Sequence, residues 1–321
     1  SMKKRTQDFQ RIGIIFSGGI DSVLVAQIAK QMVPEVVCYT GGVKGSNDIA
    51  YARQIAERLG LELKVCEFTE QEVEDLIPKV IGVIEDSNAG QVEVALPVYG
   101  AVALAHQDGI KVMITGQGAD EIFGGYSWYA KVAEKEGYRK LRQHMVEDLL
   151  LLYKETLERE DKITMAHSIE LREPFLDPEV IKVALATDLH LNVKGGSDEF
   201  GKHIHRKLAE KLGIPKDVAY RIKEAAQHGS GIHDTIDSIA RKHGYDETSI
   251  PNSYLQVLKE REKIGSSQRY GYLFGDEKIW IAEPHVQMYL DKLSNRAQSL
   301  RQQTSEILAE TKSKVLRKPT V

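Results

Sequence analysis

The stretch IGIIFSGGIDSVLVAQIAKQM, residues 12–32, decides the fold. Its first five residues, Ile12–Phe16, form a continuous apolar run, which is typical of a strand buried on both faces of a parallel sheet. Residues Val23–Met32 carry apolar side chains at helical spacing. Between the two lies a pair of glycines, which lets the chain turn tightly from strand into helix. The stretch therefore predicts one strand–loop–helix unit of an α/β fold.

The chain that follows repeats this alternation of strand and helix. The predicted strands are Val36–Thr40, Leu61–Phe68 and Lys111–Thr115, and the predicted helices are Asp48–Leu59, Glu70–Glu85 and Pro97–Gln107. Strands that alternate with helices of about 10–15 residues indicate right-handed crossovers between parallel neighbours. We therefore predict an α/β fold with a doubly wound, mostly parallel sheet, followed by a mainly helical part.

Strand patterns nearly disappear after Tyr126. Helical patterns replace them at Val146–Glu158, Pro178–Ala186 and Lys202–Leu212. We predict three parts: an α/β domain over residues 8–130, a helical part over 131–283 that packs on it, and a polar terminal helix over 284–321. Basic residues between Arg296 and Lys318 make the end of that helix positively charged, and a solvated helix is favoured over a partner-binding tail.

The composition excludes several classes of protein. The 321 residues include 43 Lys and Arg and 47 Asp and Glu. With this balance of charge, electrostatic binding of nucleic acid by the chain as a whole is not expected. No apolar run approaches the roughly 18 residues of a membrane helix. Only two cysteines, Cys38 and Cys66, are present, which excludes a disulfide scaffold and a four-cysteine zinc site. We expect a cytoplasmic protein with buried, inert thiols.

The loop Ser17–Ser22, sequence SGGIDS, has the features of an anion cradle. Its glycines bring backbone N–H groups close to a ligand, and the following helix adds the positive end of its dipole. A carboxylate beside a phosphate is repulsive unless a cation lies between them, so Asp21 points to Mg²⁺. A glycine turn that only caps the helix is the alternative.

This loop resembles the pyrophosphate loop, SGGxDS, of ATP pyrophosphatases. Three further segments resemble asparagine synthetases: TGQGADEIFGGY at residues 115–126, IELREPFLD at residues 169–177, and YRIKE at residues 220–224, which leads to GSG at residues 229–231. The four segments follow one another in the family's order and cover about residues 10 to 275. The chain is therefore similar to the synthetase part of this family.

The resemblance implies a binding site for ATP and Mg²⁺. Asp21 and Asp120 are the expected magnesium ligands, since both follow neighbouring strands at the edge where doubly wound sheets bind ligands. Nucleotide contacts are expected from Ser17, Gly18, Gly19, Asp21, Ser22, Thr115, Gly116, Gly118 and Tyr39.

Two residues are expected to be catalytic. Lys223 stands in the family's R-x-K position, where a lysine would stabilise charge at the α-phosphate. Gln117 stands where the family usually has an acidic residue; its amide can form hydrogen bonds but cannot accept a proton. Arg172 and Asp177 are expected to hold the helical part against the sheet domain. Alternatively, Arg172 reaches the active cleft, and the two roles stay open.

The leading hypothesis is an ATP-dependent ligase that adenylates a carboxylate and then forms an amide. Aspartate and ammonia are the default substrates by resemblance. The glutaminase domain of glutamine-using relatives is expected to be absent, so nitrogen would come as ammonia, from a separate glutaminase or from another amine. Glu93 replaces a basic residue near the substrate side, which would disfavour a dicarboxylic acid and favour another amino-acid-like carboxylate.

Two other functions stay open. A transfer-RNA sulfur-transfer enzyme on the same loop would need reactive cysteines, which neither Cys38 nor Cys66 offers in a strand pattern. A nucleotide-binding protein without catalysis would agree with Gln117 in place of an acid. A membrane partner is not expected, a nucleic-acid partner is disfavoured, and homo-oligomerisation is left open.

Overall fold

The computed structural model describes residues 1–221, 226–264 and 283–295. Its centre is a five-stranded sheet in the order β3-β2-β1-β4-β5. All neighbouring strands are parallel. The strands are β1 Arg11–Ile15, β2 Glu35–Val43, β3 Glu62–Phe68, β4 Val112–Ile114 and β5 Glu170–Arg172.

Helices surround the sheet and make up most of the second half. The helices up to β4 are α1 Met2–Thr6, α2 Ile20–Ala29, α3 Asn47–Leu59, α4 Glu70–Ile84 and α5 Ala89–Gln107. Those after β4 are α6 Ala119–Phe123, α7 Ser127–Glu136, α8 Tyr138–Leu152, α9 Glu158–Ala166, α10 Pro178–Ala186, α11 His203–Lys211, α12 Lys216–Ala219, α13 Ala226–Gly229, α14 Ile232–Lys242, α15 Asn252–Ile264 and α16 at residues 284–295. A π-helical turn joins α8 to α9 at Tyr153–Leu157, and short 3₁₀ turns lie at Pro174–Leu176 and Leu189–Leu191.

The predicted fold class is confirmed, with two differences. Helix α5 begins at Ala89, eight residues before the predicted start, because the Asn88 side chain accepts a hydrogen bond from Gln91 N at 3.2 Å and caps the helix. The short edge strand β5 was not predicted, because three residues carry too little periodicity to mark a strand. The predicted domain boundaries at residues 130 and 283 stay predictions. Strand β5 follows residue 130 in the chain, yet it pairs with β4, which precedes that residue.

Side-chain alternation along the strands builds one core on each face of the sheet. Ile12 and Ile14 of β1 pack with α2 and α3 on one face. Val37 of β2 and Met113 of β4 pack with α4, α5 and α14 on the other face. Each such buried side chain contributes about 1.5–3 kcal/mol, so the sheet is a firm platform whose carboxyl edge can present loops.

The order of the strands creates a crevice at that edge. Strand β1 lies between β2 and β4. The chain leaves β1 through α2 toward β2, but it reaches β4 through α4 and α5. The loops after β1 and β4 therefore diverge, and this topological switch point is where doubly wound sheets bind ligands. Among the described residues, no helix is long and apolar enough to cross a membrane.

Candidate active site

The loop after β1 is folded as a cradle at the switch point. Gly18 has φ of +71°, a conformation that glycine adopts without strain, and Gly19 caps α2. The Ser22 hydroxyl donates to Gly19 O at 3.0 Å, and Gly19 N donates to Ser17 Oγ at 3.3 Å. The first-turn N–H groups of α2 have no partners within the helix, so they and the helix dipole favour an anion in this cradle.

The loop after β4 packs directly against this cradle. A Cβ atom on Gly116 would lie 2.9 Å from Asp21 Cβ, so only glycine allows the two loops to approach this closely. Thr115 N donates to Arg172 O at 3.1 Å, which ties the same loop to β5. The cleft between the loops is lined by Ser17, Gly19, Asp21, Ser22, Thr115, Gly116, Gln117 and Asp120, all of them predicted site residues.

The two predicted magnesium ligands converge on a buried ammonium group. Lys202 Nζ lies 2.7 Å from Asp21 Oδ2 and 2.8 Å from Asp120 Oδ1, and the Lys202 side chain is only 2% exposed. His205 Nε2 lies 3.2 Å from Asp21 Oδ1. Lys202 has φ of +50°, which costs a non-glycine residue about 1–3 kcal/mol and is typical of functional sites. The sequence analysis missed this lysine, because it stands alone in its segment.

The convergence on Lys202 is the observation that tests the predicted magnesium site. Two carboxylates that approach one cationic group from two loops can also approach one divalent cation. Mg²⁺ prefers one or two carboxylates together with phosphate and water oxygens. Asp21 and Asp120 therefore fit Mg²⁺ as ligands when a phosphate lies in the cradle.

Two arginines hold the far wall of the cleft. Arg206 is buried and donates to four backbone carbonyls: Gly201 at 2.9 Å, Phe200 at 2.7 Å, Ala219 at 2.5 Å and Arg221 at 3.3 Å. Burial lowers the pKa of its guanidinium, whereas the charges of Asp21 and Asp120 oppose that shift. Arg206 thus fixes the segment that leads into the predicted R-x-K residues.

Arg221 is the arginine of that R-x-K segment, and it lines the cleft. Its guanidinium lies 3.5 Å from the centre of the Tyr51 ring and 3.5 Å from Asp48 Oδ1. Farther along, Ser230 O accepts a hydrogen bond from Val43 N at 2.8 Å, at the carboxyl end of β2. Lys223 itself lies outside the described residues, and its catalytic role stays a prediction.

The cleft is also lined by a buried carboxylate that the sequence analysis missed. Gln117 Nε2 donates to Glu160 Oε1 at 2.6 Å, and Glu160 lines the cleft together with Val94 and Val98 of α5. Burial raises the pKa of Glu160, although the Arg159 guanidinium, 3.5 Å away, opposes the shift. Glu160 Oε2 is buried and has no hydrogen-bond partner among the described residues. This oxygen is therefore available to a donor in the cleft.

The segment before Pro97 has a different role from the one predicted. Glu93 is buried on α5 and pairs with His233, with Oε1 and Nδ1 3.1 Å apart, rather than lining the cleft. Burial raises the pKa of Glu93, and the charge of Glu93 raises the pKa of His233 against the effect of burial. Gln91, two residues earlier on α5, accepts a hydrogen bond from Arg159 at 2.6 Å. The expected reversal of charge at the substrate side is therefore not seen.

The expected nucleotide contact from the Tyr39 side chain was wrong. Tyr39 is fully buried in the core, and its hydroxyl donates to Asp108 Oδ2 at 2.7 Å. Asp108 precedes β4, so this hydroxyl lies toward the amino edge of the sheet, away from the cleft. Successive side chains of a strand point to opposite faces of the sheet, and the Tyr39 side chain lies on the face that α5 covers.

Arg172 and Asp177 support the scaffold interpretation. Arg172 Nη1 donates to Arg5 O at 2.6 Å, and Asp177 Oδ2 accepts from Arg5 Nη1 at 3.0 Å. The Asp177 side chain also caps α10 by accepting from Glu179 N at 3.0 Å. Neither residue lines the cleft. Both tie the N-terminal helix to the segment after β5.

The two cysteines are poorly suited to reactive sulfur chemistry. Cys38 is buried, and burial raises the pKa of its thiol to about 12. Burial likewise raises the pKa of the partly buried Cys66 thiol to about 11. The thiolate is the reactive form, so at neutral pH both groups are overwhelmingly protonated and weakly nucleophilic.

Comparison with known proteins identifies the family of this chain. The family model described as asparagine synthase matches residues 1–136 and 131–291. "Putative asparagine synthetase (glutamine-hydrolyzing) 1" of Methanocaldococcus jannaschii is 35% identical over 290 residues, covering 81% of this chain and 53% of the relative. Asparagine synthetase B (glutamine-hydrolyzing) of Escherichia coli K12 is 29% identical over 263 residues, covering 77% and 47%.

A solved structure gives a weaker likeness. The "predicted subunit of tRNA methyltransferase" of Methanocaldococcus jannaschii aligns with a TM-score of 0.31 and 16% identity, covering 67% of this chain and 95% of that chain. This score supports no conclusion about fold or function. The chain spans about half the length of the curated relatives it matches. Because the family model covers most of its length, this chain belongs to the asparagine synthase family.

Proposed function

We propose that this chain carries the ligase chemistry of an ATP-dependent amide-forming enzyme. A substrate carboxylate attacks the α-phosphorus of ATP, which breaks the bond to the β-phosphate and gives an acyl-adenylate and pyrophosphate. An amine then attacks the acyl carbon, loses a proton and displaces AMP, leaving an amide. One observation carries the proposal: the Ser17–Ser22 cradle, Asp120 and Lys202 meet in a cleft that Glu160 also lines.

The cradle end would bind and activate the nucleotide. Backbone N–H groups of the loop and the hydroxyls of Ser17 and Ser22 would hold phosphate oxygens. Lys202 would balance the negative charge that grows on the departing pyrophosphate. Asp21 and Asp120 would hold Mg²⁺, and that ion supplies further positive charge at the phosphates when bound.

Lys223 is the residue we propose for the α-phosphate. Its support is its place in the family's R-x-K segment and the position of Arg221, two residues earlier, in the wall of the cleft. A fixed ammonium group stabilises the charge that develops in both half-reactions, first on the phosphorus oxygens and then on the tetrahedral adduct.

The part of the cleft around Glu160 would receive the amine. The family's acidic residue is replaced by Gln117, but Gln117 donates to Glu160, which brings a carboxylate to the same place. Glu160 Oε2, which lacks a partner in the described structure, can accept a hydrogen bond from an incoming amine. Because burial raises the pKa of Glu160, this carboxylate is a better proton acceptor than an exposed one as the C–N bond forms.

The proposal for the carboxylic acid substrate is less specific. Aspartate and ammonia are the default substrates from the family. The nitrogen would come from free ammonia, from a separate glutaminase or from another amine. Glu93 does not oppose a dicarboxylic acid, because it faces His233. Val94 and Val98 make the wall beside Glu160 apolar, which suits the carbon chain of an amino-acid-like carboxylate.

The test is the identity of the products. We expect the chain, given Mg²⁺, ATP, ammonium and a panel of carboxylic acids, to release AMP and pyrophosphate with the cognate acid. Release of ADP and phosphate instead would reject the mechanism. Tight ATP binding without turnover across the panel would instead support the nucleotide-binding alternative.

A variant at Lys223 sharpens the test. Lys223→Ala should leave ATP binding measurable by calorimetry while amide formation falls by at least about 10²–10³-fold. The matched control is Lys207→Ala, an exposed lysine of α11 that should keep wild-type rates. Equal losses in the two variants would remove Lys223 from the proposed chemistry.

A further inference from the structure

A second cluster of metal-ligand side chains lies away from the cleft, where α16 packs against α14. Asp237 comes from α14, His285 comes from the first turn of α16, and Glu283 immediately precedes that helix. One ligand atom of each residue lies within 4.8 Å of the other two. None of the three lines the candidate active site. The proposed function assigns this cluster no role.

Asp237 and His285 are already held in place for a shared ligand. His285 Nε2 lies 2.6 Å from Asp237 Oδ1, and the His285 side chain is 2% exposed. The other carboxylate oxygen of Asp237, Oδ2, accepts a hydrogen bond from Arg241 Nε at 2.8 Å. Arg241 thus orients the carboxylate and leaves Oδ1 directed at the imidazole.

His233 offers a fourth donor, one helical turn before Asp237. Its Nε2 lies 3.4 Å from Glu283 Oε1, and its Nδ1 lies 3.1 Å from Glu93 Oε1. A histidine that binds a metal commonly gives its second ring nitrogen to a carboxylate, which fixes the tautomer. Glu93 provides that contact, so Nε2 of a neutral His233 would face the cluster with its lone pair.

Two buried atoms of the cluster lack the partners that burial demands. Glu283 Oε2 and His285 Nδ1 are shielded from water and have no hydrogen-bond partner among the described residues. Leaving such a group unsatisfied costs about 1–3 kcal/mol. Three carboxylates, those of Glu93, Asp237 and Glu283, lie in or beside the cluster, and the Arg241 guanidinium contacts one of them, that of Asp237. The cluster is therefore short of a cation.

We propose that His233, Asp237, Glu283 and His285 bind a divalent transition-metal ion of the zinc class, which fastens α16 to α14. Imidazole nitrogens together with carboxylate oxygens suit zinc, whereas Mg²⁺ prefers oxygen ligands alone. Zinc bonds of about 2.0–2.2 Å place the ligand atoms of one site within roughly 4 Å of each other. The ligand atoms of Asp237, Glu283 and His285 already lie within 4.8 Å of one another, and His233 Nε2 lies 3.4 Å from Glu283 Oε1, so small side-chain rotations would reach this spacing. Four protein ligands make the site structural rather than catalytic.

The experiment measures zinc on the whole chain. Protein stripped with a chelator and then given Zn²⁺ should retain one equivalent after gel filtration, measured by elemental analysis, and should melt at a higher temperature than the stripped protein. Co²⁺ in place of Zn²⁺ should give the visible absorption of a tetrahedral site. Mg²⁺ alone should raise neither the metal content nor the absorption.

Variants of single ligands show where the ion binds, and circular dichroism checks that each variant is folded. Asp237→Asn and His285→Gln should each lose the bound equivalent and the cobalt absorption while far-ultraviolet circular dichroism shows them folded. The matched control is His243→Gln, which removes a histidine at the end of the same helix that pairs with Glu74 outside the cluster, and it should bind zinc as the wild type does. Absence of zinc from the wild-type protein, or equal retention in all three variants, would overturn the proposal.

Discussion

Two groups of carboxylates, one at the cradle and one around Glu160, are compensated in different ways. At the cradle end, Asp21 and Asp120 share the ammonium of Lys202. In the other group, the Glu160 carboxylate lies 3.5 Å from the Arg159 guanidinium and keeps one buried oxygen without a hydrogen-bond partner among the described residues. Burial together with the charge of Glu160 raises the pKa of the half-buried Glu173 to about 7. The first group is prepared for phosphate by its ammonium, whereas the second keeps proton-accepting capacity for an amine.

The largest effect is expected when the cation is removed from the cradle end. Lys202→Met keeps the length of the side chain but leaves Asp21 and Asp120 buried without the ammonium between them. Breaking one partner of such a buried pair typically costs about 3–5 kcal/mol. We expect a loss of that size in the free energy of unfolding, measured by urea denaturation in a magnesium-free buffer.

Magnesium and a surface lysine provide the controls for Lys202. Added Mg²⁺ should restore part of the lost stability in Lys202→Met, because a divalent cation can take the place of the ammonium. Lys182→Met breaks an exposed pair with Glu179 and should cost at most about 1 kcal/mol. Similar losses in both variants would show that the carboxylates do not depend on Lys202.

A second variant addresses the group around Glu160. Glu160→Gln removes the proposed proton acceptor but keeps a side chain that can contact Gln117. We expect amide formation to fall by about 10²–10⁴-fold, because that is the usual contribution of a positioned base. Exchange of labelled pyrophosphate into ATP should persist, since Glu160 is not among the groups proposed to act in adenylation.

The neighbouring Asp161→Asn is the matched control, because Asp161 is exposed and does not line the cleft. It should retain both activities. In the wild type, amide formation should also fall as the pH drops through the raised pKa of Glu160, and this acidic limb should vanish in Glu160→Gln. Parallel loss of exchange and amide formation in Glu160→Gln would place Glu160 among the structural residues.

The contrast between the two groups also explains what the sequence could predict. The cradle end is built mainly from contiguous segments, and local rules for apolar runs, glycines and helix starts sufficed to place Ser17–Ser22 and Asp120 at one edge. Lys202 and Glu160 come from separate helical segments whose positions depend on tertiary packing. Neither has a local pattern around it that marks a site. The side chain of Tyr39 was assigned to the wrong side of the sheet for a related reason. Which face of a buried strand is covered by helices depends on tertiary packing, and the sequence of the strand does not show it.

The smallest effect concerns the charge balance around Glu173. Its pKa in the folded protein, about 7, is above the ordinary value, so the protonated carboxyl stabilises the fold. That contribution is complete below about pH 4.3 and is lost as the pH rises through 7. Glu173→Gln imitates the protonated form. It should therefore match the wild type in free energy of unfolding below about pH 4 and exceed it by about 1–3 kcal/mol at pH 8.

A double-mutant cycle separates the two causes of this shift. Burial is the larger cause, and the charges of Glu160 and Asp161 add to it. If like charges contribute, Glu173→Gln should stabilise the Glu160→Gln background at pH 8 by less than it stabilises the wild type. An equal gain in both backgrounds would exclude the charge of Glu160 as a cause. No gain at pH 8 in either background would contradict the raised pKa, and the group around Glu160 would then resemble the cradle end in having its carboxylates compensated.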